Sequence, residues 1–169
     1  MKRTHRTRAG IAAAALVAVG TVTVGVGVAR AGETDGTPDR PTEREVAALF
    51  DRWNAALQSG DARKVADRYA RDAVLLPTAS PRIRTTRAEI VDYFEHFLQK
   101  KPKGQKIRSV INILDRNSAI DAGLYRFHLT DPKTGAKTTV DARYTYEYEK
   151  RDGRWLIVNH HSSVLPAEG

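Results

Sequence analysis

The hydrophobic pattern changes its period once along the chain. Up to about residue 100, apolar residues recur at the three- and four-residue spacing of helices, with one short apolar run at 74–76. From residue 106 onward the period becomes two. Four segments rich in Ile, Val, Tyr and Thr then predict long antiparallel strands: 106–115, 119–130, 137–150 and 154–164.

Three helices are predicted before these strands. Residues 42–45 and 86–89 both have the Thr-x-x-Glu pattern of a capping box, and an apolar stripe follows each. Between them, Asp61 can cap a shorter helix whose inner face would include Tyr69. Gly60 ends the first helix, because a C-terminal cap favours a left-handed residue.

The turns complete a prediction of the fold. Asp152-Gly153 is the strongest hairpin signal, since a type I′ turn needs positive φ at both central residues. Residues 117–118 and 131–135 turn the other strand pairs, and extra residues near 121–123 would supply a bulge that curves the sheet. The order predicts an α+β fold in which three N-terminal helices pack on a curved antiparallel sheet.

The first 31 residues predict export. Four basic residues lie within positions 2–8, an apolar stretch covers 10–29, and Ala29-Arg30-Ala31 fits a cleavage site. We therefore predict a cleavable signal peptide (1–31, cut after Ala31), a disordered Pro/Gly-rich linker (32–41), a domain at 42–166 and a tail at 167–169. The mature protein would be secreted or extracytoplasmic and free of the membrane. The alternative is an uncleaved anchor, because about 20 apolar residues can span a bilayer.

Charge and cysteine content exclude several classes of function. The chain has 28 basic and 20 acidic residues, a net charge of +8, and five of the basic ones lie in the leader with no acidic residue. Cleavage therefore leaves 23 basic and 20 acidic residues in the mature chain. The resulting net charge of +3 argues against nucleic-acid binding. The absence of cysteine excludes disulfides, thiol chemistry and a lipoprotein anchor.

The end of the chain resembles a known family. Residues 143–163 contain an Arg-Asp-Gly-Arg-Trp hairpin and then His-His-Ser-Ser, and residues 53–61 end a helix in a Gly-Asp turn. Together they resemble the association domain of calcium/calmodulin-dependent protein kinase II and its stand-alone bacterial relatives, the SgcJ/EcaC oxidoreductase family of the nuclear transport factor 2-like superfamily. The resemblance covers about residues 43 to 166. It implies a conical domain that self-associates into a homodimer or larger ring, with a pocket between sheet and helices. The chain has no kinase catalytic motif.

The same resemblance implies arginines deep in the pocket. Arg126 matches one of them if one residue is inserted nearby, while the other two would fall at Tyr146 and Ser162. Arg126 and Arg143 are therefore predicted to hold an anionic ligand, since a guanidinium binds a carboxylate through two hydrogen bonds. The alternative is a structural ion pair between Arg126 and an aspartate (Asp121, Asp141 or Asp67).

Further side chains complete the predicted pocket. His160 and His161 point to opposite faces of their strand, and His160 is placed inside because it shares parity with other apolar positions (Leu156 and Val158) and with Ser162. Ser162 would help to orient the ligand, and Trp53 and Tyr69 would supply apolar walls. Two histidines with no third ligand at a suitable spacing do not indicate a metal, and no cofactor is predicted.

Two groups of residues receive other predictions. Tyr144, Tyr146 and Tyr148 form a stripe on one sheet face that would suit an interface. The lysines between 100 and 106 and the arginines at 82, 84 and 87 are predicted to lie in solvated loops.

These residues favour one function and leave two alternatives. The leading hypothesis is a non-catalytic, exported homo-oligomer that binds a small, anionic organic molecule. The first alternative is a small-molecule enzyme, an SgcJ/EcaC-type oxidoreductase or a cofactor-independent isomerase or hydrolase, in which His160 acts as an acid–base pair with Asp121 or Asp141. The second is an assembly module with a vestigial pocket.

Overall fold

The elements follow one another in the predicted order. The computed structural model describes residues 40–78 and 80–167. The predicted signal peptide and its cleavage site lie outside the described residues. The helices are α1 (Glu43–Gln58), α2 (Ala62–Ala66) and α3 (Arg87–Phe97), which a 3-10 turn (Leu98–Lys100) extends. The strands are β1 (Tyr69–Leu76), β2 (Lys103–Ile113), β3 (Ser118–Thr130), β4 (Lys137–Arg151) and β5 (Arg154–Val164).

The helix ends confirm the predicted capping residues. Thr42 caps α1, with its hydroxyl accepting from the Glu45 amide at 3.2 Å and its own amide donating to the Glu45 carboxylate at 2.7 Å. The same capping box starts α3, and Asp61 caps α2. Gly60 has φ +71°, as the end of α1 requires. No helix in residues 40–78 or 80–167 is long and apolar enough to cross a membrane.

The five strands form one sheet in the order β1-β5-β4-β3-β2. The four long strands pair antiparallel as predicted, but β1 pairs parallel with β5, so the sheet is mixed rather than wholly antiparallel. The prediction of a helical Tyr69 was wrong, because α2 ends at Ala66 and β1 begins at Tyr69. Within β1 the buried Ala73 and Leu75 are separated by partly exposed positions, which is the period of a strand.

Two register shifts in the antiparallel part of the sheet lie at other positions than the predicted 121–123. One lies in β2 between Lys106 and Arg108. The other lies in β5, where Tyr148 faces Ile157 and Glu147 faces Asn159, so that Val158 is an extra residue. Because an extra residue reverses the inward face, both Ile157 and His160 are buried although they differ in parity.

The concave face of the sheet and one face of α1 enclose the core. From α1, Phe50 and Trp53 pack on the sheet, with ring centroids 5.8 Å apart. The stripe of Tyr144, Tyr146 and Tyr148 lies on this concave face and is buried, so the prediction that it forms an exposed interface was wrong. It is part of the core because α1 covers the face to which it belongs.

Candidate functional site

A cavity of about 120 Å³ opens between α3 and the concave face of the sheet. On the same measure one water needs about 10–15 Å³, so the space suits a small organic molecule. Its walls are mostly aromatic, from α1, α3 and β3: Trp53, Tyr93, Phe94, Phe97, Tyr125 and Phe127. Four aliphatic residues complete the apolar surface. The polar residues in the wall are Thr78, Lys100, His160 and Ser162.

His160 is held in this wall by two hydrogen bonds in series. Trp53 Nε1 donates to the Tyr69 hydroxyl oxygen at 3.0 Å, and that hydroxyl lies 2.8 Å from His160 Nδ1. Because indole only donates, the Tyr69 hydroxyl is free to donate its own hydrogen to Nδ1. This network assigns the ring hydrogen of neutral His160 to Nε2.

The imidazole of His160 is buried and neutral. The residue is 4 % exposed, its ring stacks on Tyr146 with centroids 4.1 Å apart, and Trp53 meets it edge-on. Burial, and to a smaller extent the charge of His161, lower its pKa from 6.5 to about 3. Its Nε2 has no hydrogen-bond partner among the described residues. His160 thus contributes a neutral imidazole to the cavity wall, with its Nε2 buried rather than open to the cavity.

Acid should destabilise the fold through this residue. A histidine whose pKa is lower in the folded state stabilises the protein above pH 6.5, and this contribution is lost as the pH falls from 6.5 towards 3, because the unfolded chain takes up the proton first. We expect the free energy of unfolding to fall by about 2 kcal/mol between pH 7 and pH 5. Urea unfolding at several pH values measures it.

His160→Gln should remove this part of the pH dependence, whatever its effect at pH 7. His96→Gln is the matched control, because the His96 side chain is 73 % exposed and should leave the slope in place. An unchanged slope in the His160 variant would contradict a buried neutral imidazole.

Ser162 lies in the wall as predicted, within a group of hydroxyls. Tyr125 donates to Ser162 Oγ at 2.5 Å, and Thr78 Oγ1 forms a hydrogen bond with the same oxygen. Trp53 also lines the cavity. Tyr69 does not: it lies behind His160 and fixes its orientation through the hydrogen bond to Nδ1. The structure thus brings Trp53, His160 and Ser162 together around one space.

Arg126 and Arg143 do not reach the cavity, so their predicted role as an anion clamp inside the pocket was wrong. Arg126 lies between the buried Tyr125 and Phe127, which turns its side chain to the outer face. There Nε and Nη2 donate to the two Asp141 oxygens at 2.6 and 2.7 Å, the structural ion pair that the sequence left as the alternative. Arg143 is exposed beside the inward-facing Tyr144.

Asp121 is buried but does not pair with His160. Its carboxylate accepts from Ser109 and, at 3.0 Å, from Tyr144. Tyr146 is the strand partner of both Asp121 and His160, which places them two strand spacings apart, about 10 Å. Asp141 is on the outer face. The predicted acid–base pair is therefore not assembled. In the described part of the chain, no three histidine or acidic side chains could hold a metal ion.

Sequence reasoning missed most of the aromatic wall. Tyr125 and Phe127 flank Arg126, and strand alternation alone would have placed them inside once Arg126 was placed outside. Tyr93 and Phe97 lie on the side of α3 that faces the cavity. Arg84, which was predicted to be solvated, is only 6 % exposed.

Comparisons with known proteins give one family and one fold. Residues 42–166 match the sequence profile of the calcium/calmodulin dependent protein kinase II association domain. A Xanthomonas campestris protein described as a candidate for that domain is 58% identical, with a TM-score of 0.74 over 78% of this chain and 93% of that one. Among functionally curated proteins, none shows significant sequence similarity to this chain.

Two more distant structures show the same fold. A nuclear transport factor 2-like protein from Salmonella enterica is 15% identical, with a TM-score of 0.64 over 75% of this chain and 92% of that one. A Novosphingobium aromaticivorans protein described as a candidate aromatic ring hydroxylase is 18% identical, with a TM-score of 0.63 over 72% and 87%. At these identities the likeness concerns the fold.

Proposed function

Since the chain belongs to the calcium/calmodulin dependent protein kinase II association domain family, we propose that it is an exported, self-associating domain whose cavity binds a small, largely apolar organic molecule. His160 Nε2 would donate a hydrogen bond to an acceptor on that molecule, and the aromatic wall would cover its apolar body. Family membership supports the self-association, and the cavity supports the ligand.

The observation that carries the binding proposal is the buried His160 Nε2, which has no hydrogen-bond partner among the described residues. Leaving a buried donor without a hydrogen-bond partner costs about 1–3 kcal/mol of stability. Such a donor is therefore expected where a bound molecule accepts its hydrogen bond. Here Tyr69 and Trp53 fix the ring, and His160 belongs to a mostly aromatic wall. A carbonyl, ether or hydroxyl oxygen of a ligand fits this donor, because the imidazole is neutral at physiological pH.

The same residue favours binding over catalysis. A general base works best with a pKa near the working pH, and the pKa of His160 lies near 3. Its Nδ1 already interacts with Tyr69, and the nearest predicted partner, Asp121, stands beyond Tyr146. The arrangement orients a ligand without an acid–base pair.

The outer face of the sheet is the surface we propose for self-association. Towards the β2 edge of this face the exposed Val110 pairs with Ala122, and Leu124 follows on the same face. Polar side chains flank these residues, including Arg143 and the exposed His161. An apolar patch bordered by polar side chains is typical of protein interfaces.

One experiment tests export, assembly and binding together. The complete chain is expressed in a bacterium, collected from outside the cytoplasm, and weighed by mass spectrometry under denaturing and then native conditions. We expect a protomer that begins at Gly32, an integral multiple of its mass under native conditions, and a reproducible small excess from a bound organic molecule.

A blocked cavity is the control for the excess mass. Leu129 lines the cavity, so the larger side chain of Leu129→Trp should fill it. The variant should lose the excess mass of the bound molecule and still form an oligomer of the same size. His128→Trp adds the same side chain at the exposed neighbouring position and should retain the excess. A native mass equal to one protomer would contradict self-association. An excess that survives Leu129→Trp would contradict binding in the cavity.

A further inference from the structure

Arg84 is a buried cation without an acidic partner in the part of the chain that the structure describes. Its Nη1 donates to the Arg82 carbonyl at 2.8 Å and its Nη2 to the Ser80 hydroxyl at 3.2 Å. Its Nε is buried and has no partner within residues 40–78 and 80–167, and no carboxylate of that part of the chain lies within ion-pair distance. The prediction that Arg84 belongs to a solvated loop was therefore wrong.

This arrangement is costly unless an anion completes it. Removing a guanidinium from water is unfavourable, and buried arginines are normally paired with a carboxylate or a similar group. The Tyr93 ring, with its centroid 5.8 Å from the guanidinium carbon, offsets part of the cost. The two neutral oxygens that accept from Arg84 leave its positive charge uncompensated.

The backbone holds Arg84 beside the cavity. Arg84 and Leu75 exchange two backbone hydrogen bonds of 2.9 Å, and the Leu75 side chain lines the cavity. The residue lies in a side groove together with Ser80, His96 and Lys100, and none of the described acidic residues lines this groove. Tyr93, Phe97 and Lys100 line both the groove and the cavity, so the two spaces are adjacent.

We infer that this groove is an anion subsite for the ligand of the cavity, an inference that rests on the proposed function. The ligand class is an amphiphilic carboxylate: its flat apolar body occupies the aromatic cavity, and its carboxylate lies between Arg84 and Lys100. Arg84 Nε and a second hydrogen on the adjacent Nη would form the planar pair of donors that suits a carboxylate, once the ligand displaces the side chains that bury Nε. The anion predicted from the sequence thus returns, with Arg84 and Lys100 in place of Arg126 and Arg143.

The test compares two probes of equal shape that differ in charge, 2-naphthoate and its neutral amide, 2-naphthamide. Calorimetric titration measures the dissociation constant of each with the purified chain and its variants. Arg84→Gln should weaken 2-naphthoate by roughly ten- to a hundred-fold, because a charge-assisted bidentate contact is lost. The same variant should change the dissociation constant of 2-naphthamide less than about threefold. Arg82→Gln removes the same charge from an exposed position two residues away and should change neither.

Each other outcome overturns the inference in a recognisable way. If 2-naphthamide binds the unaltered chain as tightly as 2-naphthoate, ligand binding in the cavity is supported and the anion subsite is contradicted. If Arg84→Gln weakens both probes equally, Arg84 is a wall residue without a role in anion binding. If neither probe binds, the proposed function fails with the inference. Thermal unfolding of both variants verifies that the fold is retained, and Arg84→Lys, which keeps the charge without the fork, should recover only part of the affinity.

Discussion

Replacing Tyr69 by Phe is expected to lower the free energy of unfolding by about 2–5 kcal/mol, because it leaves two buried groups unpaired. Trp53 Nε1 loses its acceptor, and His160 Nδ1 loses the hydroxyl that donates to it. The apolar body of the side chain is unchanged, so cavity formation adds little. Urea denaturation followed by circular dichroism measures the loss.

Tyr93→Phe is the matched control for this change. Tyr93 also packs among aromatic rings, but its hydroxyl makes no hydrogen bond to the described residues. We expect a loss below about 1 kcal/mol. Equal losses in the two variants would show that the hydroxyl of Tyr69 does not support His160 and Trp53.

Gly123→Ala should destabilise the sheet by about 3 kcal/mol, because the new methyl group has no space. A Cβ at this position would stand 1.9 Å from the Arg108 carbonyl oxygen and 2.9 Å from its carbon. Both belong to the backbone of β2 next to its register shift, so the strand itself would have to move. Thermal unfolding and the concentration of soluble protein report the effect.

Gly60→Ala is the control for Gly123→Ala. It measures the loss of stability on replacing a glycine where the new methyl group meets no other atom. A Cβ at Gly60 meets nothing within 4 Å, and only the φ of +71° opposes it. The expected loss is about 1 kcal/mol. If Gly123→Ala cost no more than Gly60→Ala, then β2 would be free to yield at its bulge.

Local rules were sufficient for the outline of the fold. Both Thr-x-x-Glu capping boxes begin helices, and Asp152 and Gly153 both have positive φ in the predicted hairpin. Each signal involves residues close in sequence, whose hydrogen bonds form wherever the rest of the chain lies. Family resemblance then supplied the cone, which the comparisons confirm.

The candidate site was less predictable because it depends on which way each strand faces. A single extra residue reverses that direction, and the position of a bulge follows from contacts between strands that no local pattern records. His160 was placed correctly inside, although its assumed parity with Leu156 fails at Val158. Arg126 was placed on the wrong face. Arg84 was missed because its burial comes from a bridge to Leu75, a contact between separate segments.

The extra residue Val158 decides which residues of the His-His-Ser-Ser sequence face the cavity. With the bulge in place, His160 and Ser162 face inward. If the bulge were straightened so that β5 alternated regularly from Ile157, the interior would instead receive His161 and Ser163. The doubled sequence His-His-Ser-Ser therefore offers an imidazole followed by a hydroxyl to the cavity in either phase of the strand. The sequence thus contains the same pair of polar side chains, a histidine and a serine two residues later, in two registers that differ by one residue.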